Sequence, residues 1–160
     1  RNFGFENEAT ISELGINGKM SELHAAFGLL QLKYIDQSIE QRKRLCNLYK
    51  SKLSEVEGIT LLDQVKSTEG NGSYFPILVT KKFKANRDQL YAELKKNNIY
   101  ARPYFSPLIT RTEMYKAMPS SSKKNLPVAN MVSDQVLCLP LSSDLDENSI
   151  NRITKVIKSF

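Results

Sequence analysis

The 160-residue sequence predicts an α/β chain of the α+β two-layer kind, with long N-terminal helices followed by a small mixed sheet that helices cover on one face. Three observations carry this. From Met20 to Leu53 the apolar residues advance by threes and fours, which places them on one side of a helix. After Gly58 the pattern changes to short extended pieces at 59–62, 74–80, 99–102 and 135–139. Amphipathic helical segments at 87–97 and 146–160 alternate with or follow those pieces. One domain is the expectation for this length, and no repeat or clear linker divides it.

Residues 1–19 show little periodicity and hold Gly4, Gly15 and Gly18, so they read as a loop with one short helical turn at most. Ser21 is a good N-cap for a first helix at 20–34, with Met20, Leu23, Phe27, Leu30 and Tyr34 on its apolar face. Asp36 caps a second helix, carried by Ile35, Ile39, Arg42, Cys46, Tyr49 and Leu53 to about residue 55, so the two form a rod bent near Asp36. Pro76 argues that 74–80 is an edge strand or holds a bulge. Asn86 caps the helix of Leu90, Tyr91 and Leu94. Pro103 ends the 99–102 strand, and Ser106-Pro107 makes a turn. A short helix at 110–117, a polar loop at 119–124, a helical turn or two at 128–133 and a buried strand at 135–139 lead to the last helix on Ile150, Ile153, Val156 and Ile157.

Composition removes several function classes. The net charge of +6 is spread among interleaved acids, as in Lys52 to Glu57 and Arg87 to Lys96, which marks a solvated surface and not a nucleic-acid face. Cys46 and Cys138 sit in apolar contexts, read as buried thiols, and show neither metal spacing nor a CxxC. Neither a signal peptide nor a membrane-length apolar run is visible, which favours a cytoplasmic setting without a membrane partner. His24 is the only histidine, so a nucleophilic triad fails on supply. Asp144 and Asp146 flank a helix start and read as caps, and no phosphate loop of the GxxxxGK type occurs.

Two stretches remain. Gly15-Ile16-Asn17-Gly18-Lys19 offers backbone N–H groups, an amide and a cation ahead of a helix N-terminus, a place suited to a phosphate oxygen. Arg102-Pro103-Tyr104-Phe105-Ser106-Pro107-Leu108 puts a guanidinium and two aromatics on a stiff strand exit, either as a core plug or as a platform for a sugar or base.

The run Arg1-Asn2-Phe3-Gly4, then Gly15-x-Asn17-x-Lys19-Met20-Ser21-Glu22-Leu23-x-Ala25-Ala26-x-Gly28-Leu29-x-Gln31-Leu32, then Ile35-Asp36, Ile39 and Arg42, resembles the pyridoxal-phosphate-dependent sugar nucleotide aminotransferases of the DegT/DnrJ/StrS type. Tyr74-Phe75-Pro76, Ile99-Tyr100-x-Arg102-x-Tyr104-Phe105-x-Pro107-Leu108, Pro127-Val128-Ala129 and Leu139-Pro140-Leu141 keep that family's order and spacing, so the resemblance covers essentially the whole chain. It implies the C-terminal small domain, residues 1–160, of a fold type I enzyme, with 1–19 as a dimer-interface loop. The Schiff-base lysine and most of the phosphate cup would lie in an N-terminal domain that this chain does not match. It further implies pyridoxal 5'-phosphate as cofactor, glutamate and a sugar nucleotide as substrates, and a homodimer with shared active sites. The residue matching Asn17 reaches the cofactor phosphate of the neighbouring subunit, and Arg102, Tyr104 and Phe105 border the sugar nucleotide. The Arg-x-Tyr-Phe-x-Pro-Leu form is similar to members acting on dTDP-linked keto-6-deoxyhexoses, while His24 stands where glutamine is common. The alternative function is a free-standing helical dimerisation module without catalysis.

Overall fold

The computed structural model describes residues 3–62 and 70–160. Arg1 and Asn2, which open the family-like run, and residues 63–69, between the first two extended pieces, lie outside them. The chain divides into two units, one up to Ser38 and one from Ile39 to Phe160.

In the first unit, residues 3–17 form a closed hairpin-like loop and not a helical turn. Phe5 bridges Ile11, the Ser12 N–H donates to Gly4 O at 3.1 Å, and the Phe3 N–H donates to Ile16 O at 3.3 Å. Asn7 Oδ1 accepts from the Ala9 and Thr10 N–H groups at 3.0 and 2.9 Å, a local turn that outcompetes a helix. Gly4 has φ +81°, and a Cβ on it would lie 1.8 Å from Glu13 O, so glycine is required there. Helix α1 runs Glu22–Leu53. Ser21 caps it, its Oγ accepting from the His24 N–H at 3.4 Å and sitting 2.6 Å from His24 Nδ1.

α1 is one continuous helix in place of the two expected to meet near Asp36. No glycine or proline stands between Gly28 and Gly58, and a lone Asp does not interrupt the i→i+4 ladder. Its first five turns leave the predicted apolar face open: Leu23 is 80 % exposed, Phe27 61 % and Leu30 51 %. A Cβ on Gly28 would meet nothing within 4 Å, so nothing described packs against this small-residue stretch.

The second unit is built on a three-stranded sheet in the order β1-β2-β3, formed by β1 (Ile59–Leu61), β2 (Phe75–Val79) and β3 (Val136–Leu139). Both pairings are antiparallel, with Ile59 opposite Val79 and Phe75 opposite Leu139, so the expected mixed sheet is replaced by an antiparallel one. Pro76 lies in the central strand and not at an edge. Its partner Cys138 turns both backbone groups the other way, donating to Arg102 O at 2.7 Å and accepting from the Arg102 N–H at 2.9 Å, so Pro76 faces a position that asks no donor of it. The expected 99–102 strand is reduced to that single Arg102–Cys138 bridge.

Helices α2 (Arg87–Lys96), α3 (Pro127–Gln135) and α4 (Glu147–Lys158) complete the unit. α2 opens on a full capping box, Asn86 with Gln89, at 2.9 Å in both directions. α4 opens on Asp146, which accepts from the Ser149 N–H at 2.8 Å. Phe75, Ile77, Val79, Leu137 and Leu139 of the sheet share a core with Leu45, Tyr49 and Leu53 of α1, Leu90 and Leu94 of α2, and Ile150, Ile153 and Ile157 of α4. Tyr49 stacks on Phe75 at 4.7 Å and donates its hydroxyl to Pro140 O at 2.9 Å. Residues of the opposite parity, Leu78, Val136 and Cys138, are also buried, so the second face is covered as well, against the one-face expectation. The expected short helix at 110–117 is reduced to a 3-10 turn at Ile109–Arg111, and the expected polar loop after it holds two more, Pro119–Ser121 and Lys123–Asn125. Cys46 is half-buried and Cys138 buried, and both are free thiols.

Candidate functional site

The first candidate group is on the N-terminal loop. Asn17 and Lys19 are both exposed on the turn that leads into α1. Their amide and ammonium donors, ahead of the helix N-terminus, are the chemistry a phosphate monoester requires. Among the described residues no side-chain partner occupies the Asn17 amide. This donor set fits the phosphate end of pyridoxal phosphate. Burial raises the Cys46 and Cys138 thiols, and no group of three or more His, Cys, Asp or Glu suits a metal ion among the described residues.

The second group is in the other unit, and here the chain brings three sequence-predicted residues together. The backbone bridge to Cys138 sets Arg102 along the β3 edge of the sheet. Its Nη1 donates to the Tyr104 hydroxyl at 2.7 Å, and the guanidinium lies 5.5 Å from the Tyr104 ring centroid. Phe105 stacks on Tyr104 with centroids 4.8 Å apart and rings within 20° of parallel. Tyr104-Phe105 and Ser106-Pro107 are both cis peptides. Phe105 is 73 % exposed and Arg102 is exposed, while Tyr104 is half-buried. The corner is therefore not a core plug: Phe105 and Arg102 lie exposed at the surface.

Tyr74 also joins this corner, with its ring edge-on to Tyr104 at 5.8 Å. Sequence placed Tyr74 at the start of a strand and in the family-like Tyr74-Phe75-Pro76 run without joining it to the corner, because the contact spans thirty residues and no local pattern signals it. Behind the corner, Cys138 Sγ lies 4.0 Å from Tyr104 O and Ser133 Oγ donates to Phe105 O at 3.4 Å. Ser133 is 1 % exposed, and its own carbonyl accepts from the buried Arg87 Nη1 at 3.2 Å, as does Val136 O. These residues carry no sequence motif. His24 is exposed and bonded to its own cap, which is the structural role expected for a helix histidine.

Comparison with known proteins gives the frame for both groups. The chain is 50 % identical to a dTDP-4-amino-4,6-dideoxy-D-glucose transaminase of Escherichia coli, over 98 % of this chain and 42 % of that protein. A protein of the same name from Shigella dysenteriae is 38 % identical over 100 % of this chain and 43 % of its own length. The structure of DesI in the presence of its TDP-sugar product superposes with a TM-score of 0.80 at 27 % identity, covering 99 % of this chain and 40 % of that one. The chain therefore spans about two fifths of the length of the relatives it matches. These neighbours have the fold type I architecture, and the family's cofactor is pyridoxal phosphate. Residues 1–158 match the family description, and the chain belongs to the DegT/DnrJ/EryC1/StrS aminotransferase family.

Proposed function

We propose that this chain is the C-terminal part of a pyridoxal-phosphate-dependent aminotransferase that moves an amino group from glutamate to a dTDP-linked keto-6-deoxyhexose, in the cytoplasm, for surface polysaccharide or glycan synthesis. The exposed Arg102–Tyr104–Phe105 corner is the observation that carries the reading. Arg102 keeps donors for a diphosphate oxygen while Tyr104 holds it in place. Phe105 presents its open ring to a base or sugar. The E. coli and S. dysenteriae relatives, named as transaminases of a dTDP-amino sugar, support the substrate class.

Bound cofactor would supply the electron sink that carries the amino group between the two substrates. Asn17 would donate to its phosphate in a homodimer, with the lysine that holds the cofactor in an N-terminal domain preceding this one. The apolar face left open on α1, Leu23, Phe27 and Leu30, supports a buried role in that assembly. The same face is what a helical dimerisation module without catalysis would use, so catalysis must decide between them.

The test is turnover by the full-length protein with glutamate and dTDP-4-keto-6-deoxyglucose, followed by mass spectrometry of the sugar nucleotide. Formation of the amino sugar is the expected result. Absence of conversion with any dTDP-keto sugar, in protein that retains cofactor, overturns the substrate assignment. Borohydride trapping of cofactor on a lysine of residues 1–160 overturns the placement of that lysine elsewhere.

A further inference from the structure

We infer that Arg111 is a positioning residue for the sugar nucleotide platform, pinning the far end of the segment that carries Tyr104 and Phe105 to helix α3; the inference rests on the substrate reading above. The segment between Arg102 and Arg111 contains no regular strand or helix beyond the short turn at Ile109–Arg111. At its near end the backbone of Arg102 is bonded in both directions to Cys138. At its far end the whole guanidinium of Arg111 is used. Nε and Nη2 both donate to Asn130 Oδ1, at 3.1 and 2.6 Å, and Nη1 donates to Asp134 Oδ1 at 2.7 Å.

Asn130 and Asp134 are four residues apart on α3 and so share one of its faces. Asn130 is itself fixed, since its Nδ2 donates to Leu126 O at 2.6 Å and to Lys123 O at 3.4 Å. The acceptor that meets the Arg111 fork thus has one orientation. A planar fork on a fixed acceptor sets direction as well as distance, which a lysine cannot reproduce.

Between the two anchors, the described residues tie the platform to the rest of the unit by a long Ser133 hydrogen bond, a thiol contact and the edge-on Tyr74–Tyr104 ring contact. Phe105 is largely exposed, and the one ring it stacks on, Tyr104, belongs to the same segment. Its position therefore depends on the two ends. Arg111 is bonded away from the platform residues, towards α3, and acts through the backbone between them.

The test uses the full-length protein with Arg111→Gln, Arg111→Lys and Asn130→Ala. The expected result for R111Q and N130A is a KM for the dTDP-keto sugar raised about tenfold, as for loss of a charge-assisted hydrogen bond, while the glutamate half-reaction stays within about twofold. R111K is expected to fall with R111Q and not with the wild type. Amide deuterium exchange over 103–111 is expected to quicken in R111Q and N130A with the rest of the protein unchanged. An unchanged KM, an equal loss in both half-reactions, or full rescue by R111K overturns the proposal. Should the wild type aminate no sugar nucleotide, the substrate reading fails alone, and the exchange measurement decides the pinning: faster exchange supports it and unchanged exchange overturns it.

Discussion

Phe105→Ala separates binding from folding more cleanly than any other substitution at the platform. The side chain is 73 % exposed and makes one aromatic contact, the 4.8 Å stack on Tyr104. Losing that stack costs about 0.5–1 kcal/mol, a Tm shift of roughly 3 °C or less. Losing a base or sugar stacked on the ring costs about 1–3 kcal/mol, so KM for the sugar nucleotide rises roughly 5- to 150-fold. Steady-state kinetics with varied sugar nucleotide measure the second effect, and the glutamate half-reaction, read from cofactor absorbance, serves as the control. KM within twofold of wild type would refute the platform. Equal losses in both half-reactions would refute its restriction to the sugar nucleotide.

Three further outcomes are expected. Asn17→Ala in the full-length protein weakens cofactor binding by about 1.5 kcal/mol, roughly tenfold in Kd by fluorescence titration, with the dimer retained; lost dimerisation at unchanged affinity makes the asparagine structural. Gly58 has φ +81°, and a Cβ on it would lie 2.0 Å from Phe83 N, so Gly58→Ala destabilises by about 2 kcal/mol or more in chemical denaturation. The Arg111 hydrogen bond holds the Asp134 carboxyl below its ordinary value, so its contribution is present above the unfolded value of about 4 and is lost as pH falls through the folded one. Deuterium exchange over 103–111, corrected for intrinsic rates, therefore quickens in that acid window in wild type and not in Asp134→Asn.

Local physics made much of the fold legible. The Asn86 cap, the Leu90 and Leu94 face and the Ile150, Ile153 and Ile157 stripe each lie within one element, where spacing and capping decide the outcome. Pro76 misled because its exemption from donating depends on Cys138 pairing with Arg102, a bond across 36 positions that no local pattern announces. Asp36 misled because a capping residue has no effect inside a helix whose flanking turns continue through it. At the exposed corner, the proximity of Arg102, Tyr104 and Phe105 is readable in sequence because they are nearly consecutive. Tyr74, Ser133 and the Arg111–Asn130–Asp134 set were not, since each reaches the corner through tertiary contact.

The apolar face of α1 shows the complementary case. Its spacing marks one face of a helix, and in this chain Leu23, Phe27 and Leu30 of that face remain open. An open apolar face of this kind is the surface that a packing partner would cover.

The central claim is that the Arg102–Tyr104–Phe105 corner holds the sugar nucleotide. A crystal structure of the full-length protein with its dTDP-amino sugar tests it directly. The account predicts the ligand in contact with the Phe105 ring and an Arg102 nitrogen within hydrogen-bond distance of it. A nucleotide bound in a pocket that touches none of the three residues would contradict the account.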